Sequence, residues 1–420
     1  MNHGAGLRLR GFSWILALAL AGLASACGRS APAPPTSVAS LAAGPWDTVL
    51  ERARGTSVTW RMWRGDPAIN AYIDSWVAPR MRAQFGVEVH AVDGQGADLV
   101  NTLVTEREAL AGRPGTTSLA WVNGETFAQL RQEQLLGGPW TASLPNAALV
   151  DAASPIISRD FEQDPTGFES PWGMVQFALI YDPQRTPDPP TSVAALGEWI
   201  RTHPGRFTHD QGFTGMTFLK SVMYARGGGV EAFQHGFEEA RYRRGRDQLF
   251  DWLTSVRPHL WRNGRTYPPD VAAMHRLFAN GEIDFSMSNN QNEVVTKVRQ
   301  GVLPPTAKAL LLEEGTIANA HYLGIPFNAP NPAGALVLAN FLLSPEAQLE
   351  KQRGDVWGDG TVLKVPALPE PWPARFAEVV RDAAALPPDL LAAHARPEVD
   401  PRYHTRLLDD WRQLMRGDAR

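Results

Sequence analysis

The chain has 420 residues, of which 44% are apolar, and a formal net charge of −4. This length allows two domains with real hydrophobic cores, and a balanced charge without long runs of one sign argues against a nucleic-acid partner. With one cysteine, Cys27, near the N-terminus, the body of the chain can form no disulfide, zinc–cysteine site or thiol nucleophile.

The N-terminus has the features of a secretory signal. Two arginines precede an apolar run over residues 15–23, and small residues over 24–26 lead to Cys27. The apolar run is too short to span a membrane permanently. The small residues before the cysteine resemble a bacterial lipobox, although Ala24 stands where leucine is most common. We therefore expect residues 1–26 to be removed and Cys27 to be lipidated; the alternative is an ordinary signal peptide that ends near a cysteine.

The segment after the cysteine is rich in proline and small residues and has no hydrophobic periodicity. Such a composition is typical of a flexible linker. We expect residues 27–47 to tether a folded body to a membrane of the cell envelope, on its periplasmic or extracytoplasmic face.

Strands and helices then alternate, which predicts an α/β fold with largely parallel sheets. Asp66 and Pro67 form a helix start, with the acid as N-cap and proline in the first turn. The predicted elements, in chain order, are a strand at 58–63, a helix at 68–85, a strand at 87–92, a helix at 99–110 and a strand at 119–122. Ligands bind beyond the carboxyl ends of the strands in such sheets, so the residues that follow the first and third strands are expected on one rim.

Two extended segments, 170–183 and 320–327, enclose a block with its own elements. Those elements are predicted as helices at 192–202, 215–225 and 271–280 and strands at 205–208 and 283–287. A chain that leaves one lobe and later returns to it predicts a hinged clamp. We expect lobe I to comprise 48–175 and 320–420, including C-terminal helices, and lobe II to comprise 176–319.

The sequence over residues 328–348 resembles bacterial extracellular solute-binding proteins, the receptors of ABC importers. In it Asn331-Pro332 and Ser344-Pro345 each start a helix. Three further segments, 63–74, 121–127 and 170–173, are similar to the YnjB-type branch of that superfamily. The resemblance extends over essentially the whole mature chain.

This resemblance implies a type II periplasmic-binding-protein fold, in which two α/β lobes joined by two crossover segments close on a small solute. It also implies a monomer without cofactor or enzymatic activity. The closed form would dock on the transmembrane permease subunits of an ABC importer, which are partnered by a cytoplasmic ATPase. Relatives suggest a thiamine-like or polyamine-like solute.

The residues at the predicted rim and crossovers favour an organic cation. Aromatic faces and carboxylates both attract positive charge in a partly dry site. The carboxylates near these positions are Asp66, Glu125 and Glu169, and Glu125 has no evident structural reason to follow a strand end. The other candidate solute contacts are Trp63, Arg64, Trp121, Asn123, Trp172 and Tyr322. The alternatives are core packing for each tryptophan and helix capping for Asp66.

A second pattern favours an anion. Thr214 and Gly215 open a predicted helix, where free backbone N–H groups bind oxyanions. Asn289 and Asn290 follow another strand end and offer neutral hydrogen bonds. An oxyanion or a phosphate ester therefore remains open as a solute, as does a plain capped helix start.

The enzymatic alternative is a secreted lipoprotein hydrolase that acts on a small substrate in the same cleft. The chain has no Gly-x-Ser-x-Gly elbow, His-Glu-x-x-His helix or Ser-x-x-Lys set. His203, His209 and Asp210 can be drawn as a metal site, but they lack metal-ligand spacing. We therefore expect no catalytic residues and no metal.

Overall fold

The computed structural model describes residues 37–110, 112–379 and 385–417. The predicted signal peptide and Cys27 lie outside these residues. The described residues all belong to one compact unit. Within the described ranges, no helix is long and apolar enough to cross a bilayer.

Nine β-strands occur in the described residues: β1 (Ser57–Met62), β2 (Glu88–Asp93), β3 (Leu119–Val122), β4 (Glu169–Gln176), β5 (Ala178–Tyr181), β6 (Phe285–Ser288), β7 (Lys308–Leu310), β8 (Thr316–Gly324) and β9 (Ala395–Pro397). They form two sheets. The first has the order β2-β1-β3-β8-β4, with β9 beside β8, and the second has the order β6-β5-β7. The predicted half-domain is confirmed, since β1 pairs in parallel with both β2 and β3.

The second sheet differs from the prediction. Both of its pairings are antiparallel, and the strand predicted at 205–208 is absent from it. Arg206 and Phe207 lie beside the sheet in irregular chain, where their carbonyls accept single backbone hydrogen bonds from Asp284 and Trp261. These single bonds do not extend into a β-ladder. Arg206 still belongs to the turn after α7, and the next turn begins at Asp210, so too few extended residues lie between them.

The α-helices in the same ranges are α1 (Val38–Ala42), α2 (Trp46–Ala53), α3 (Pro67–Ala71), α4 (Ala78–Phe85), α5 (Ala97–Leu110), α6 (Gly124–Gln132), α7 (Val193–Thr202), α8 (Phe213–Arg226), α9 (Glu239–Val256), α10 (Val271–Ala279), α11 (Glu293–Arg299), α12 (Pro332–Leu342), α13 (Pro345–Gln352), α14 (Trp372–Val379), α15 (Pro388–His394) and α16 (Pro401–Gly417). A π-helical segment, Tyr72–Val77, joins α3 to α4. The helix predicted over 68–85 is thus continuous but widened. Pro79 explains the widening, because it has no N–H to donate and its ring clashes with the carbonyl of the residue four positions earlier.

The predicted helix starts are confirmed by their capping hydrogen bonds. The carboxylate of Asp66 accepts from Ala68 N–H at 2.6 Å. Asn331 and Ser344 cap α12 and α13 through their side-chain oxygens, at 2.9 and 3.2 Å. These short polar side chains satisfy backbone donors that the helix itself leaves free.

The expected tether is shorter than predicted. Residues 38–42 already form α1, which Ser37 caps, and the side chains of Val38 and Leu41 are buried. The proline-rich composition ends before Val38, and the apolar pair that follows is stabilised by packing rather than left in solvent.

Two large hydrophobic cores and one smaller apolar cluster occur in the described chain, and the smaller cluster includes Leu99 of α5 and Phe127 of α6. The first core packs around the first sheet and includes Trp60, Trp172 and Leu323; the second core packs around the second sheet and includes Phe177 and Phe285. The chain passes between them from β4 to β5 and again within β8, whose Ile317 lies in the second core and Ala320 in the first.

A third passage was not expected. Phe376 lies in the first core, whereas Val399 and α16 pack in the second core through Tyr403, Leu407 and Trp411. Their spacing of four residues places them on one face of α16. Helix α16 therefore packs in the second core, although residues 320–420 were all expected in lobe I.

Asn331 ties α12 to β1 as well as capping it, because its Nδ2 donates to Thr56 Oγ1 at 2.7 Å and to the Ser57 carbonyl at 2.8 Å. We expect Asn331→Ala to lower the free energy of unfolding by about 2 kcal/mol, against about 1 kcal/mol for Ser344→Ala, which loses only a cap. Urea denaturation of both variants measures the difference. Equal losses would contradict a role for the two bonds to β1.

Candidate functional site

The first predicted rim is built from ion pairs. Arg64 makes a two-pronged salt bridge to Asp74, with N–O distances of 3.0 and 2.5 Å. Asp66 caps α3 and also accepts from Lys297 Nζ of α11 at 2.6 Å, which links the two cores. Trp63 is 40% exposed. In this structure the charges of Arg64 and Asp66 are already compensated.

The predicted aromatic contacts lie mainly in the first core. Trp172 and Tyr322 have no exposed surface, and Trp121 is 6% exposed. The Trp121 and Trp172 rings meet edge to face with centroids 4.9 Å apart, and Tyr322 donates to the Ile157 carbonyl at 2.7 Å. These rings sit on β3, β4 and β8, inside the sheet, where side chains on both faces are covered. The structure therefore gives them core packing rather than an open aromatic surface.

Asn123 follows the same pattern. Its Oδ1 accepts from Trp121 Nε1 at 3.1 Å, and it makes no side-chain cap to α6. It fixes the indole orientation at the end of β3.

The predicted anion site carries a carboxylate of its own. Asp210 accepts from the Gly212 N–H at 2.7 Å, at the start of α8. Burial raises the pKa of Asp210, while bonds from the Gly212 and Gly215 N–H groups lower it. Gly215 is required there, since a Cβ would lie 1.8 Å from the Asp210 carbonyl oxygen. An incoming oxyanion would meet this negative charge.

The neutral candidates beside α8 are also engaged. Asn289 Nδ2 donates to Thr214 Oγ1 at 3.1 Å, which brings those two predicted residues together. Asn290 Oδ1 accepts from the Asn292 N–H at 2.9 Å. They form a polar loop packed on the helix start.

The two histidines considered as metal ligands lie in different surroundings. His203 stacks on Trp199 with centroids 4.3 Å apart. His209 is buried against Tyr267 and Trp411, and burial lowers its pKa to about 4. No group of three or more possible metal-ligating side chains occurs in the part of the chain that the structure describes.

Four carboxyl groups between the two cores stand out instead, three of them buried and Glu125 half-buried with one buried oxygen, and we call them the acid cluster. They come from separate elements: Glu125 from the first turn of α6, Asp160 from the loop before β4, Glu169 from the start of β4 and Glu398 from the residue after β9. Asp160, Glu169 and Glu398 are 2%, 2% and 6% exposed.

Carboxylate oxygens of the acid cluster lack partners. Both oxygens of Glu169 have no hydrogen bond, and neither does one oxygen each of Glu125, Asp160 and Glu398. An unpaired buried carboxylate is costly, because it has lost its water and gained no donor. Such groups take up protons or require a bound cation.

The members of the acid cluster also repel one another. Burial raises the pKa of Asp160 well above its usual range, and the charges of Glu125 and Glu398 raise it further. Burial likewise raises the pKa of Glu169, to which the charge of Asp160 adds. The pKa of Glu125 is raised by burial and lowered by the charge of Lys220. The four groups therefore share one electrostatic environment.

A single ammonium group stands within this environment. Lys220 Nζ of α8 donates to Glu398 at 2.6 Å, and both side chains are almost fully buried, at 0% and 3% exposure. The same Nζ lies 4.8 Å from the centre of the Phe161 ring. Phe161 packs against Gly124, where a Cβ would lie 1.9 Å from the ring. The acid cluster thus already holds one cation between a carboxylate and an aromatic face.

The sequence pointed to Glu125 and Glu169 but not to the other members. Asp160 and Phe161 lie in an irregular loop, and Lys220 lies in the middle of a helix that looks like core. Glu398 is far along the chain. The four-residue spacing of Tyr403, Leu407 and Trp411 is the one signal in the sequence that a C-terminal helix packs one apolar face.

The family model for bacterial extracellular solute-binding proteins matches residues 76–378 of this chain. The chain is also 36% identical over 356 residues to Protein YnjB of Escherichia coli (strain K12), covering 84% of this chain and 91% of that protein. The chain belongs to the bacterial extracellular solute-binding protein family. The predicted resemblance to solute-binding proteins and to the YnjB-type branch is confirmed, and these matches give the hydrolase alternative no support.

Solved structures show the fold of this solute-binding protein. A putative spermidine/putrescine ABC transporter protein from Listeria monocytogenes superposes with a TM-score of 0.59 at 16% identity, over 85% of this chain and 99% of that one. The periplasmic binding protein AfuA from Actinobacillus pleuropneumoniae, with fructose-6-phosphate bound, gives 0.60 at 13% identity, over 86% and 99%. Iron-bound HitA from Pseudomonas aeruginosa gives 0.58 at 16%, over 84% and 99%. The type II periplasmic-binding-protein fold is confirmed, and since these three names differ in solute, the fold does not select one.

Burial of Glu169 predicts a pH-dependent stability. Its raised pKa means that the folded protein keeps a proton that the unfolded chain releases above the ordinary value of 4.5. The resulting stabilisation is complete below that pH and is lost as the pH rises through the folded pKa. We expect Glu169→Gln, which cannot ionise, to gain stability relative to the native protein by up to about 1.4 kcal/mol per pH unit above that value.

Urea denaturation of the solute-free protein between about pH 4 and pH 8 measures this difference. Asp164→Asn is the matched control, because hydrogen bonds from Thr166 lower the pKa of Asp164. Its difference from the native protein should run in the opposite direction. A Glu169→Gln curve parallel to the native one would contradict a raised pKa.

Proposed function

We propose that this protein captures an organic cation in the acid cluster and delivers it to the permease of an ABC importer. The observation that supports this most is the set of unpaired carboxylate oxygens on groups that lie close enough to raise one another's pKa. Among the described residues, four acids share the ammonium group of Lys220 and the charge of Arg131, which acts on Glu169, so the region is short of positive charge. A protonated amine supplies both the charge and the N–H donors that these oxygens lack.

The position of the acid cluster fits a clamp. Glu169 opens β4 of the first sheet and Glu125 lies in α6, directly after β3 of that sheet, whereas Lys220 lies on α8 in the second core. We propose that the two cores are the cores of two lobes, and that the solute is enclosed when they approach. The Asp66 to Lys297 bridge at 2.6 Å is then a bond of the closed form.

The alternative solutes receive less support. An oxyanion would meet Asp210 at the start of α8, where the backbone donors already bind that carboxylate. A neutral sugar would leave the carboxyl groups without a counter-charge. An inorganic cation needs convergent ligands, and the described residues contain no such group. The Listeria monocytogenes relative is named for spermidine and putrescine, which belong to the class favoured here.

The delivery step rests on the family and on the N-terminus. We propose that Cys27 carries lipid, that residues 28–36 form the tether, and that the monomeric body works at the outer face of a membrane. Closure of the lobes would present a surface that the transmembrane subunits recognise, with a cytoplasmic ATPase driving release. No residue of that surface is assigned.

The cation proposal predicts amine binding that depends on the acid cluster. Isothermal titration calorimetry against putrescine, spermidine and thiamine should give saturable binding of at least one of them to the native protein. Asp160→Asn and Glu169→Gln should each weaken it about tenfold or more, since a charge-assisted hydrogen bond contributes about 1.5–3 kcal/mol.

The control is Asp164→Asn, an equal change of charge at an exposed acid beside the same loop, which should leave the affinity within twofold. A thermal-shift screen offers a second readout, because a ligand at 100 times its Kd adds about 2.7 kcal/mol. Binding of sugars or oxyanions in place of all three amines would overturn the cation proposal.

The anchor proposal makes a separate prediction. Cys27→Ser should abolish incorporation of labelled palmitate in bacterial cells and move the protein from the membrane pellet to the soluble fraction, since acyl chains supply the membrane affinity. Ser30→Ala, a comparable change in the tether, should retain the label and the pellet. Unlabelled native protein would show instead that the signal peptide is of the ordinary kind.

A further inference from the structure

The C-terminal residues Ala395–Gly417, here called the C-terminal strap, run along the boundary of the two cores. The strap begins with β9, which pairs in parallel with Thr316–Ala318 of β8. That part of β8 is the segment where the chain passes between the cores, beside Gln176 and Phe177. The strap is therefore a third strand at the crossover.

The second half of the strap is fastened to the second core. Tyr403 lies 5.4 Å from Phe233 and 4.9 Å from Phe237, ring centre to ring centre. Its hydroxyl accepts from the Glu238 N–H at 3.1 Å. Arg406 forms a salt bridge with Glu239 at 2.7 Å. Such fastening holds the start of α16 in a fixed position.

The strap places two buried polar side chains there, and each has an atom without a hydrogen-bond partner. Glu398 uses one oxygen on Lys220, and its Oε2 has no partner. His404 is 6% exposed, and its Nδ1 has no partner. Its ring lies 6.4 Å from Phe161 and 5.9 Å from Phe213, centre to centre.

The two side chains differ in what they offer a solute. Burial, with help from the charges of Lys220 and Arg412, lowers the pKa of His404 to about 3. The imidazole is therefore neutral at physiological pH and can accept or donate one hydrogen bond without adding charge. Glu398 adds a carboxylate, and one of its two oxygens is paired with Lys220.

We propose that Glu398 and His404 contact the solute and that the C-terminal strap is a specificity-determining part of the binding site. This inference rests on the proposed function, because it places these side chains in the same acid cluster. Glu398 sets how much positive charge the site accepts. His404 selects among cations by a neutral hydrogen bond beside the aromatic rings of Phe161 and Phe213.

The test compares pairs of variants of the mature chain by calorimetry with putrescine, spermidine and thiamine. Glu398→Gln alone leaves Lys220 buried without its partner, so Lys220→Met is compared with Lys220→Met/Glu398→Gln, which differ only at Glu398. We expect Lys220→Met to bind the preferred amine at least as tightly as the native protein. The double variant should bind it about tenfold more weakly than Lys220→Met.

His404→Gln keeps a neutral hydrogen-bonding group but changes its position. We expect it to alter the ratio of affinities among the three probes by at least fivefold. Asp409→Asn, at an exposed position of the same helix, is the control and should change neither the ratio nor any affinity by more than twofold.

The outcomes separate the two proposals. If the native protein binds an amine and removal of Glu398 and the change at His404 both leave affinities within twofold, the strap inference is overturned while the cation proposal stands. If the native protein binds none of the three probes, the cation proposal is overturned, and the strap inference falls with it.

Discussion

The cost of burying charge governs this molecule. Four carboxyl groups and one ammonium group lie where water is largely excluded, and the carboxylate oxygens have fewer donors than they can use. Hydrophobic packing on either side makes that arrangement tolerable, because each core holds its part of the acid cluster in place. A receptor benefits from such unsatisfied groups. A ligand that supplies the missing donors and charge gains the free energy of those interactions.

The topology explains how the groups converge. Each segment in which the chain crosses between the cores carries a member of the acid cluster or lies beside one. Glu169 opens the strand that leads into the second sheet, and Glu398 follows the strand that lies along β8. Asp160 and Glu398, 238 positions apart in sequence, thus come close enough for the charge of Glu398 to raise the pKa of Asp160. Glu125, Glu169 and Glu398 are positioned at the ends of helices and strands, whereas Asp160 lies in the irregular loop before β4.

The sequence predicted the parts that depend on local chemistry. Asp66, Asn331 and Ser344 cap helices as expected, because the capping bond spans only two or three residues. The predictions from sequence were wrong or missing where the position of a residue depends on several elements packing together. Trp172 looks like a surface ring beside a turn, yet the surrounding sheet buries it. Asp160 and Lys220 carry no local pattern, so only the folded chain reveals them, and the return of α16 to the second core was missed.

The raised pKa values of Asp160, Glu169 and Glu125 have a consequence for the proposed capture of an amine. Burial favours the protonated form of these groups, so an entering ammonium would compete with protons for them. Capture would then be an exchange, in which the amine enters and protons leave to the surrounding medium. The heat of binding would include the ionisation of the buffer that takes them up. In an acidified cell envelope the same receptor would hold its cargo less tightly, and the local proton concentration would tune how readily it loads.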